Sequence, residues 1–416
     1  MGKTLAEKII GSHAKKEVSA GQIALVGVDV CLTQDGTGPL AIRQLQKINL
    51  EKAVNPKRTV LFLDHAAPSP RRELANDHIT IRKFAQKTGA CLSEVGEGVC
   101  HQIIAESYLN PGDILIGADS HTCTGGALGA FATGMGSTDI AAAMASGQTW
   151  LKVPQTIKFV YHGQLQPWVG GKDLILHTIG HIGVDGALYA AIEFGGQAVD
   201  ALSMAGRFTM ANMAIEAGAK TGLFHVDEKA QAYVQPRARR EYTVYTSDPD
   251  AEYARVIEMD ASQIELQVAF PYLPENTRPL SQVNHVPIDQ VVIGSCTNGR
   301  LDDLQVAARV LAGHQVHRDV RCIVIPATQA IYLEAVRQGL VETFVEAGAV
   351  VSTPTCGPCL GGYMGVLAAG ERAVATTNRN FRGRMGHPDS EVYLAGPAVA
   401  AASAVMGRIG GPQEVL

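Results

Sequence analysis

The sequence has no run of about 18 apolar residues, which is the length that a membrane-spanning helix needs. We expect no secretion signal, because the first residues, MGKTLAEKII, contain neither an apolar core nor a small-residue cleavage site. Charged residues are also few, at 18% of the chain. The net charge of −5 is negative, which argues against a surface that binds nucleic acid. We therefore expect a cytoplasmic protein that binds neither a membrane nor nucleic acid.

Eight cysteines are present, and in a cytoplasmic protein they are better explained as thiols or metal ligands than as disulfides. One pair, Cys356 and Cys359, has the CxxC spacing, which fits a redox dithiol, half of a zinc site or a cluster site. Zinc is disfavoured because there is no second CxxC, and the HxxxH pair, His177 and His181, lies far upstream of the cysteines. The dithiol and cluster interpretations both stay open at this point.

Apolar runs rich in Val, Ile and Leu alternate with helix-like stretches, a pattern typical of α/β layers. The runs are Thr59–Leu63, Asp113–Gly117, Val291–Gly294, Cys322–Pro326 and Val350–Thr353. A charged segment punctuated by proline, over 231–278, interrupts the pattern, and a length of 416 residues suggests about three domains. We predict three α/β domains, over 1–153, 154–285 and 286–416.

Polar and thiol groups follow four of these runs directly. They are Asp64-His65 after the first run, Asp119-Ser120-His121 after the second, Ser295-Cys296 after the third and Cys356 to Cys359 after the fifth. Because ligands of open parallel sheets bind beyond the carboxyl ends of the strands, we expect these groups to form a site shared between sheets. The glycine-rich segment over 125–147 lacks the GxGxxG and GK[ST] spacings of phosphate loops, and we interpret it as tight helix–sheet packing.

Three motifs near the end of the chain, GSCTNGR over 294–300, TPTCGPC over 353–359 and TTNRNFRGR over 376–384, resemble signatures of the aconitase superfamily. The resemblance extends upstream through QDGTG, DHA, GEGVCHQI, GADSHTCTGGALG and FTMANMAIEAGA, in family order. It implies three aconitase-type α/β domains around a central iron–sulfur cluster, without the fourth, swivelling domain. In that respect the chain is similar to the large subunits of 3-isopropylmalate dehydratase and homoaconitase.

The resemblance implies one [4Fe–4S] cluster held by Cys296, Cys356 and Cys359, with one iron left open for substrate. Clusters that only carry electrons usually have four thiolate ligands, whereas an open iron can serve as a Lewis acid in the loss of hydroxide from a hydroxy acid. Cys123 lies in the HTC stretch beside His121, and we expect it to be near the site without being a ligand.

Acid–base residues are also implied by the resemblance: Asp64 pairs with His65, Asp119 with His101 and Glu216 with His121, and His65 is the general acid. The substrate contacts are expected to be Gln34, Ser120, Arg379 and Arg384. Asn212, Asn298 and Asn378 are expected to support the cluster or the substrate. The spacing of Asn212 and Glu216, i and i+4, predicts that they share one helix face.

In the family the serine base belongs to the swivelling domain, and nothing in this sequence matches that segment. The resemblance therefore implies a hydro-lyase that acts with a small subunit carrying that domain and serine. We expect it to interconvert 2- and 3-isopropylmalate through isopropylmaleate in leucine biosynthesis. Homoaconitase and 2,3-dimethylmalate dehydratase are alternatives on the same site. An electron-transfer iron–sulfur protein and a cluster-free RNA-binding regulator are alternatives of other classes.

Overall fold

The five apolar runs identified in the sequence all form β-strands in the computed structural model, which describes residues 2–48 and 53–416. Among these residues no helix is both long enough and apolar enough to cross a membrane. The chain divides into two compact units. The first unit comprises Met1–Val95, Cys100–His162 and Ala187–Met259, and the second comprises Gly96–Val99, Gly163–Gly186 and Asp260–Leu416.

Helices and strands are numbered separately in chain order. The α-helices are α1 Leu5–Ala14, α2 Gly38–Lys47, α3 Arg72–Thr88, α4 Cys100–Ser107, α5 Ser137–Ser146, α6 Gly171–Ile182, α7 Gln197–Ala201, α8 Met204–Met213, α9 Glu228–Val234, α10 Ser295–Asn298, α11 Leu301–Leu311, α12 Gln329–Arg337, α13 Leu340–Glu346 and α14 Pro397–Met406. The strands are β1 Ile23–Gly27, β2 Val30–Gln34, β3 Thr59–Phe62, β4 Cys91–Ser93, β5 Ile114–Gly117, β6 Phe131–Gly134, β7 Gln148–Lys152, β8 Thr156–His162, β9 Ala191–Gly195, β10 Thr221–Phe224, β11 Arg255–Asp260, β12 Gln267–Ala269, β13 Thr277–Pro279, β14 Gln290–Gly294, β15 Arg321–Ile325, β16 Val350–Val351, β17 Arg372–Ala375 and β18 Glu391–Ala395.

The main sheet of the first unit has five parallel strands in the order β4-β3-β2-β5-β6. The chain leaves the central strand β2 toward one edge through β3 and β4, and then crosses to the other side for β5 and β6. This reversal makes a topological switch point between β2 and β5, where ligands of open α/β sheets bind. The three inner strands, β3, β2 and β5, are buried on both faces, as parallel strands covered by helices should be.

Two smaller sheets complete the first unit. One has the order β10-β9-β8-β11, and the other is a ribbon in which β1 pairs antiparallel with β7. Helix α1 packs beside the ribbon and begins with a capping box, because Thr4 Oγ1 accepts from the N–H of Glu7 while the Glu7 carboxylate accepts from the N–H of Thr4.

The second unit contains a seven-stranded sheet in the order β13-β12-β18-β17-β14-β15-β16. Strands β14 to β18 are parallel, whereas β12 and β13 run antiparallel at one edge. Here the chain runs outward from β14 through β15 to β16 and then returns beside β14 as β17. The second sheet therefore has its own switch point, between β14 and β17.

The α/β class predicted from the sequence is confirmed, since helices alternate with largely parallel strands in both units. The division into three domains over 1–153, 154–285 and 286–416 stays a prediction.

Candidate active site

Asp119 lies at the centre of the first unit's polar cluster, immediately beyond the carboxyl end of β5. Its Oδ1 is 2.9 Å from His101 Nε2 and its Oδ2 is 3.3 Å from His65 Nε2. The N–H of His121 also donates to Oδ1 at 2.9 Å. Burial acts to raise the pKa of the Asp119 carboxyl. The charge of His101 and the hydrogen bonds from His101, His121 and His65 outweigh burial, and they hold this pKa well below its usual range.

The second carboxylate–histidine pair follows β3. His65 Nδ1 lies 2.9 Å from Asp64 Oδ1, and the other oxygen of Asp64 accepts from the N–H of Cys100 at 2.7 Å. Asp64 is buried, whereas the His65 side chain keeps 13% of its surface exposed. With Asp64 at Nδ1, the imidazole is fixed in one orientation and its Nε2 is directed toward Asp119.

The third pair joins His121 and Glu216, with 2.9 Å between Nε2 and Oε1. All three pairs expected from the sequence are thus present. The helix expected to carry both Asn212 and Glu216 is shorter, however, because α8 ends at Met213 and Glu216 lies in a 3-10 turn over Ala214–Ala217. Asn212 instead donates through Nδ2 to Thr124 Oγ1 at 2.8 Å.

The segment that carries His121 is a 3-10 stretch, Ser120–Leu128, which packs against β10. At Gly126 a Cβ atom would lie 2.0 Å from the carbonyl oxygen of Gly222, so only glycine permits this approach. The glycine-rich segment therefore packs tightly, as the sequence predicted. Buried Cys123 lies in the same stretch, where its thiol donates to the carbonyl of Asn212 at 3.3 Å.

Gln34 and Ser120 lie on either side of the switch point between β2 and β5. The Gln34 side chain is buried and its Oε1 accepts from the N–H of Gly36. Ser120, together with Asp119, lines a cleft of about 440 Å³ that also has Lys220 in its wall.

Asp35 is a residue of this site that the sequence reasoning did not identify. Its carboxylate accepts from the N–H groups of Asp64, His65 and Ala66, at 3.1, 2.8 and 2.8 Å. The loop that bears Asp64 and His65 is thereby fixed by a residue that follows the neighbouring strand. Burial opposes ionisation of Asp35, but the hydrogen bond from His78, the charge of His65 and these N–H groups lower its pKa to about 2.

Replacing Asp35 with asparagine should lower the free energy of unfolding at pH 7 by about 2 kcal/mol, since one pKa unit corresponds to about 1.4 kcal/mol. The folded-state pKa is depressed, so this stabilisation is complete above the ordinary pKa of 3.8 and is lost as the pH falls toward about 2. The difference between wild type and D35N in urea unfolding should therefore shrink from pH 5 to pH 3. Asp77→Asn is the control, because the Asp77 side chain makes no hydrogen bond in the described part of the chain. A pH-independent difference would contradict the prediction.

Cys296 stands at the switch point of the second unit, just beyond β14. A tight turn places it there: Gly294 has φ 133° and Ser295 has φ 69°. A Cβ atom on Gly294 would lie 2.0 Å from the carbonyl oxygen of Ile325. A non-glycine residue held at positive φ is a local strain that typically accompanies a functional loop.

Cys356 and Cys359 follow β16, and Cys359 lies in a 3-10 turn over Gly357–Leu360. All three cysteines are buried, at 3, 5 and 4% exposed for Cys296, Cys356 and Cys359. Cys296 and Cys356 belong to one small apolar cluster with Val99 and Ala327. Their thiols therefore lie in an environment that excludes water.

Asn378 connects two of the thiols. Its Nδ2 is 3.5 Å from Cys296 Sγ and its Oδ1 is 3.6 Å from Cys359 Sγ. Nδ2 also donates to Thr297 Oγ1 at 3.0 Å. Asn378 follows β17, so the two strands at the switch point bring the amide and the Cys296 thiol together.

Asn298 has a different position from Asn378, since its Nδ2 donates to buried Asp303 at 2.9 Å. Burial raises the pKa of Asp303 to about 6, although the charge of Arg300 opposes the shift. The guanidinium of Arg300, another residue that the sequence reasoning missed, donates to the carbonyls of Thr297 and Cys296 at 2.8 and 2.9 Å. It fixes the short helix α10 that carries Cys296.

The two predicted carboxylate-binding arginines lie after β17 and are half-buried. Arg384 Nη2 is 3.8 Å from Cys359 Sγ. The guanidinium of Arg379 lies 5.9 Å from the ring centre of Phe381. Arg384 is therefore beside the cysteines, and Arg379 directly follows Asn378.

Comparison with known proteins gives consistent results. A sequence profile described as the aconitase family (aconitate hydratase) matches residues 7–287 and 278–407. The 3-isopropylmalate dehydratase large subunit of Moorella thermoacetica is 60% identical over 420 residues, covering all of both chains. The protein of the same name from Aquifex aeolicus is 57% identical, covering 100% of this chain and 98% of its own. The crystal structure of Thermococcus kodakaraensis aconitase X has a similar fold, with a TM-score of 0.51, 12% identity and coverage of 86% of this chain and 84% of that one.

Proposed function

The chain belongs to the aconitase family, and from this premise we propose that it is the large subunit of a 3-isopropylmalate dehydratase. The reaction interconverts 2- and 3-isopropylmalate through isopropylmaleate, a step of leucine biosynthesis in the cytoplasm. The observation that carries the proposal is Asp119, a largely buried carboxylate beside three histidines at a switch point. Full-length similarity to proteins named 3-isopropylmalate dehydratase large subunit supports the choice of substrate.

We assign a [4Fe–4S] cluster to Cys296, Cys356 and Cys359. The donor set fits this group, because three buried thiols are present and the Asn378 amide contacts two of the sulfurs. When bound, the cluster supplies a Lewis acid through the iron that has no protein ligand. Asn298 and Asn378 support the loops around it.

Proton transfer to the departing hydroxide is assigned to His65, at Nε2. His65 Nδ1 is hydrogen-bonded to Asp64, so Nε2 is the ring nitrogen that can give up a proton. The ionised carboxylate of Asp119, 3.3 Å from Nε2, stabilises the imidazolium before the transfer. His101 and His121, held by Asp119 and Glu216, complete the catalytic group in this proposal.

Substrate binding is assigned to Gln34, Ser120, Arg379 and Arg384, with Asn212 in support. Guanidinium groups suit the two carboxylates of isopropylmalate because they bind carboxylates in a bidentate manner. Ser120 lines the cleft beside Asp119 and so lies where a small acid can enter.

Turnover should require a small partner subunit that carries the swivelling domain and the serine base. The reconstituted large chain alone should hydrate isopropylmaleate at least about 100-fold more slowly than the chain co-expressed with the small subunit, since a missing general base costs about 10²–10⁴-fold. The measurement is anaerobic hydration of isopropylmaleate, homoaconitate and dimethylmaleate, with and without that subunit. Full-rate turnover by the large chain alone would refute the two-subunit proposal, and a preference for homoaconitate would refute the substrate assignment.

A further inference from the structure

Lys172, in α6, is a wholly buried cation of the second unit that has no role in the proposal above. Its side chain is 1% exposed. The ammonium donates to the carbonyl oxygen of Thr376 at 2.8 Å and to that of Thr377. These two residues lie between the end of β17 and Asn378.

The charge of Lys172 has no carboxylate beside it. Within residues 2–48 and 53–416, no carboxylate oxygen lies within 4.0 Å of its Nζ. The adjacent carboxylate, Asp173, is used elsewhere: Oδ1 accepts from Gln267 N–H and Oδ2 from Gly170 N–H, both at 2.9 Å. A buried ammonium is costly unless a negative group balances it, so the surroundings must supply an anion.

The negative charges that act on Lys172 come from the Cys359 and Cys296 thiols and from the more distant carboxylates of Asp173 and Asp303. Asn378, which follows directly after Thr377, contacts both sulfurs. Burial lowers the pKa of Lys172 to about 7, and the charge of Cys359 is the largest that opposes this shift, followed by the charges of Asp173, Asp303 and Cys296. Thiolates bound to a metal cluster stay deprotonated and thus keep their negative charge.

We propose that Lys172 is a positioning residue of the cluster site, where its charge balances the cluster thiolates and its hydrogen bonds hold the loop that presents Asn378. This inference rests on the proposed function, since it requires a cluster on Cys296, Cys356 and Cys359. Charge near an iron–sulfur cluster is one of the factors that set its reduction potential. A nearby cation stabilises the reduced, more negative state and therefore raises the midpoint potential.

The test compares the reconstituted wild-type chain with K172M, K172Q and K172R by redox titration monitored by EPR. K172M and K172Q should shift the cluster's midpoint potential in the negative direction and lose iron to a chelator several-fold faster. K172R should stay near wild type because it keeps the charge. K172Q has no charge but can still donate an N–H to a carbonyl, so it distinguishes the effect of the charge from the effect of the hydrogen bonds to the loop. A folded K172Q holoprotein with the wild-type midpoint would overturn the inference.

A second comparison remains decisive if the neutral variants fold poorly. K172M is also made in a chain in which Cys296, Cys356 and Cys359 are all serine, so that no thiolate balances the ammonium. In urea unfolding, K172M should destabilise that chain less than it destabilises the holoprotein. Equal destabilisation, or failure to fold in both backgrounds, would mean that Lys172 has only a structural role. If the wild-type chain itself takes up no cluster, the proposed function fails before any variant is compared.

Discussion

Replacing Cys356 with serine is expected to abolish cluster assembly and to lower the rate of isopropylmaleate hydration by more than about 100-fold. Mutations of residues that only support the ligands of a metal site already lower metal affinity or activity by about 10- to 100-fold, and loss of a ligand should cost more. Cys356 is 5% exposed and lies in the apolar cluster with Cys296. Serine is nearly the same size, so the fold should persist while a thiolate ligand is lost. Iron and sulfide content after anaerobic reconstitution measures assembly directly, and the hydration assay with the small subunit measures activity.

Cys123→Ser is the matched control for this prediction. Cys123 is also fully buried, and its thiol donates to the carbonyl of Asn212, a hydrogen bond that a serine hydroxyl can keep. C123S should therefore retain the cluster that C356S loses. If C123S lost the cluster and C356S kept it, the ligand assignment would be wrong.

EPR distinguishes a catalytic cluster from an electron carrier. A cluster with three protein ligands has one labile iron, so brief exposure to air should give an oxidised three-iron signal that added iron reverses. A cluster with four thiolate ligands should not respond in this way. Absence of the three-iron signal from the wild-type chain would favour the electron-transfer alternative.

The proposed catalytic residues and cluster ligands could be predicted because they lie in short motifs at strand ends. Asp64-His65, Asp119 and Cys296 each follow an apolar run directly. In each parallel sheet such positions lie beyond the carboxyl ends of the strands, where ligands bind. The pairing of His121 with Glu216 required the family resemblance, since 95 residues separate them along the chain. Local pattern alone gave no indication of it.

The residues that hold the site were missed, for physical reasons. Asp35 accepts hydrogen bonds from three backbone N–H groups in the loop that follows β3. Any residue type can supply a backbone N–H, so such contacts cannot be recognised from residue type or spacing. Lys172 is adjacent to Asp173 in the sequence, and that pair is typical of a solvated helix face. Both side chains are instead buried in the second unit. Burial of this kind follows from how helices cover a sheet, which a periodicity argument does not specify.

Asp119→Asn should lower kcat for isopropylmaleate hydration by about 10²–10⁴-fold, the usual contribution of general acid–base catalysis. One carboxylate oxygen of Asp119 contacts His101 and the other contacts His65. An asparagine has the same shape but no charge, and its NH₂ group can only donate to whichever histidine it faces. The imidazolium of His65 would lose its stabilising anion, so kcat should fall much more than KM changes.

Asp29→Asn provides the control for this last prediction, because Asp29 is a largely buried carboxylate of the same unit that also pairs with a histidine. Its Oδ2 lies 2.7 Å from His13 Nε2 and accepts from the N–H of Ile114 at 2.9 Å. D29N should therefore destabilise the protein to a similar degree while leaving kcat near wild type. Equal losses of kcat in D29N and D119N would indicate a general loss of structure. A change in KM alone in D119N would mean that Asp119 binds substrate without directing the histidines.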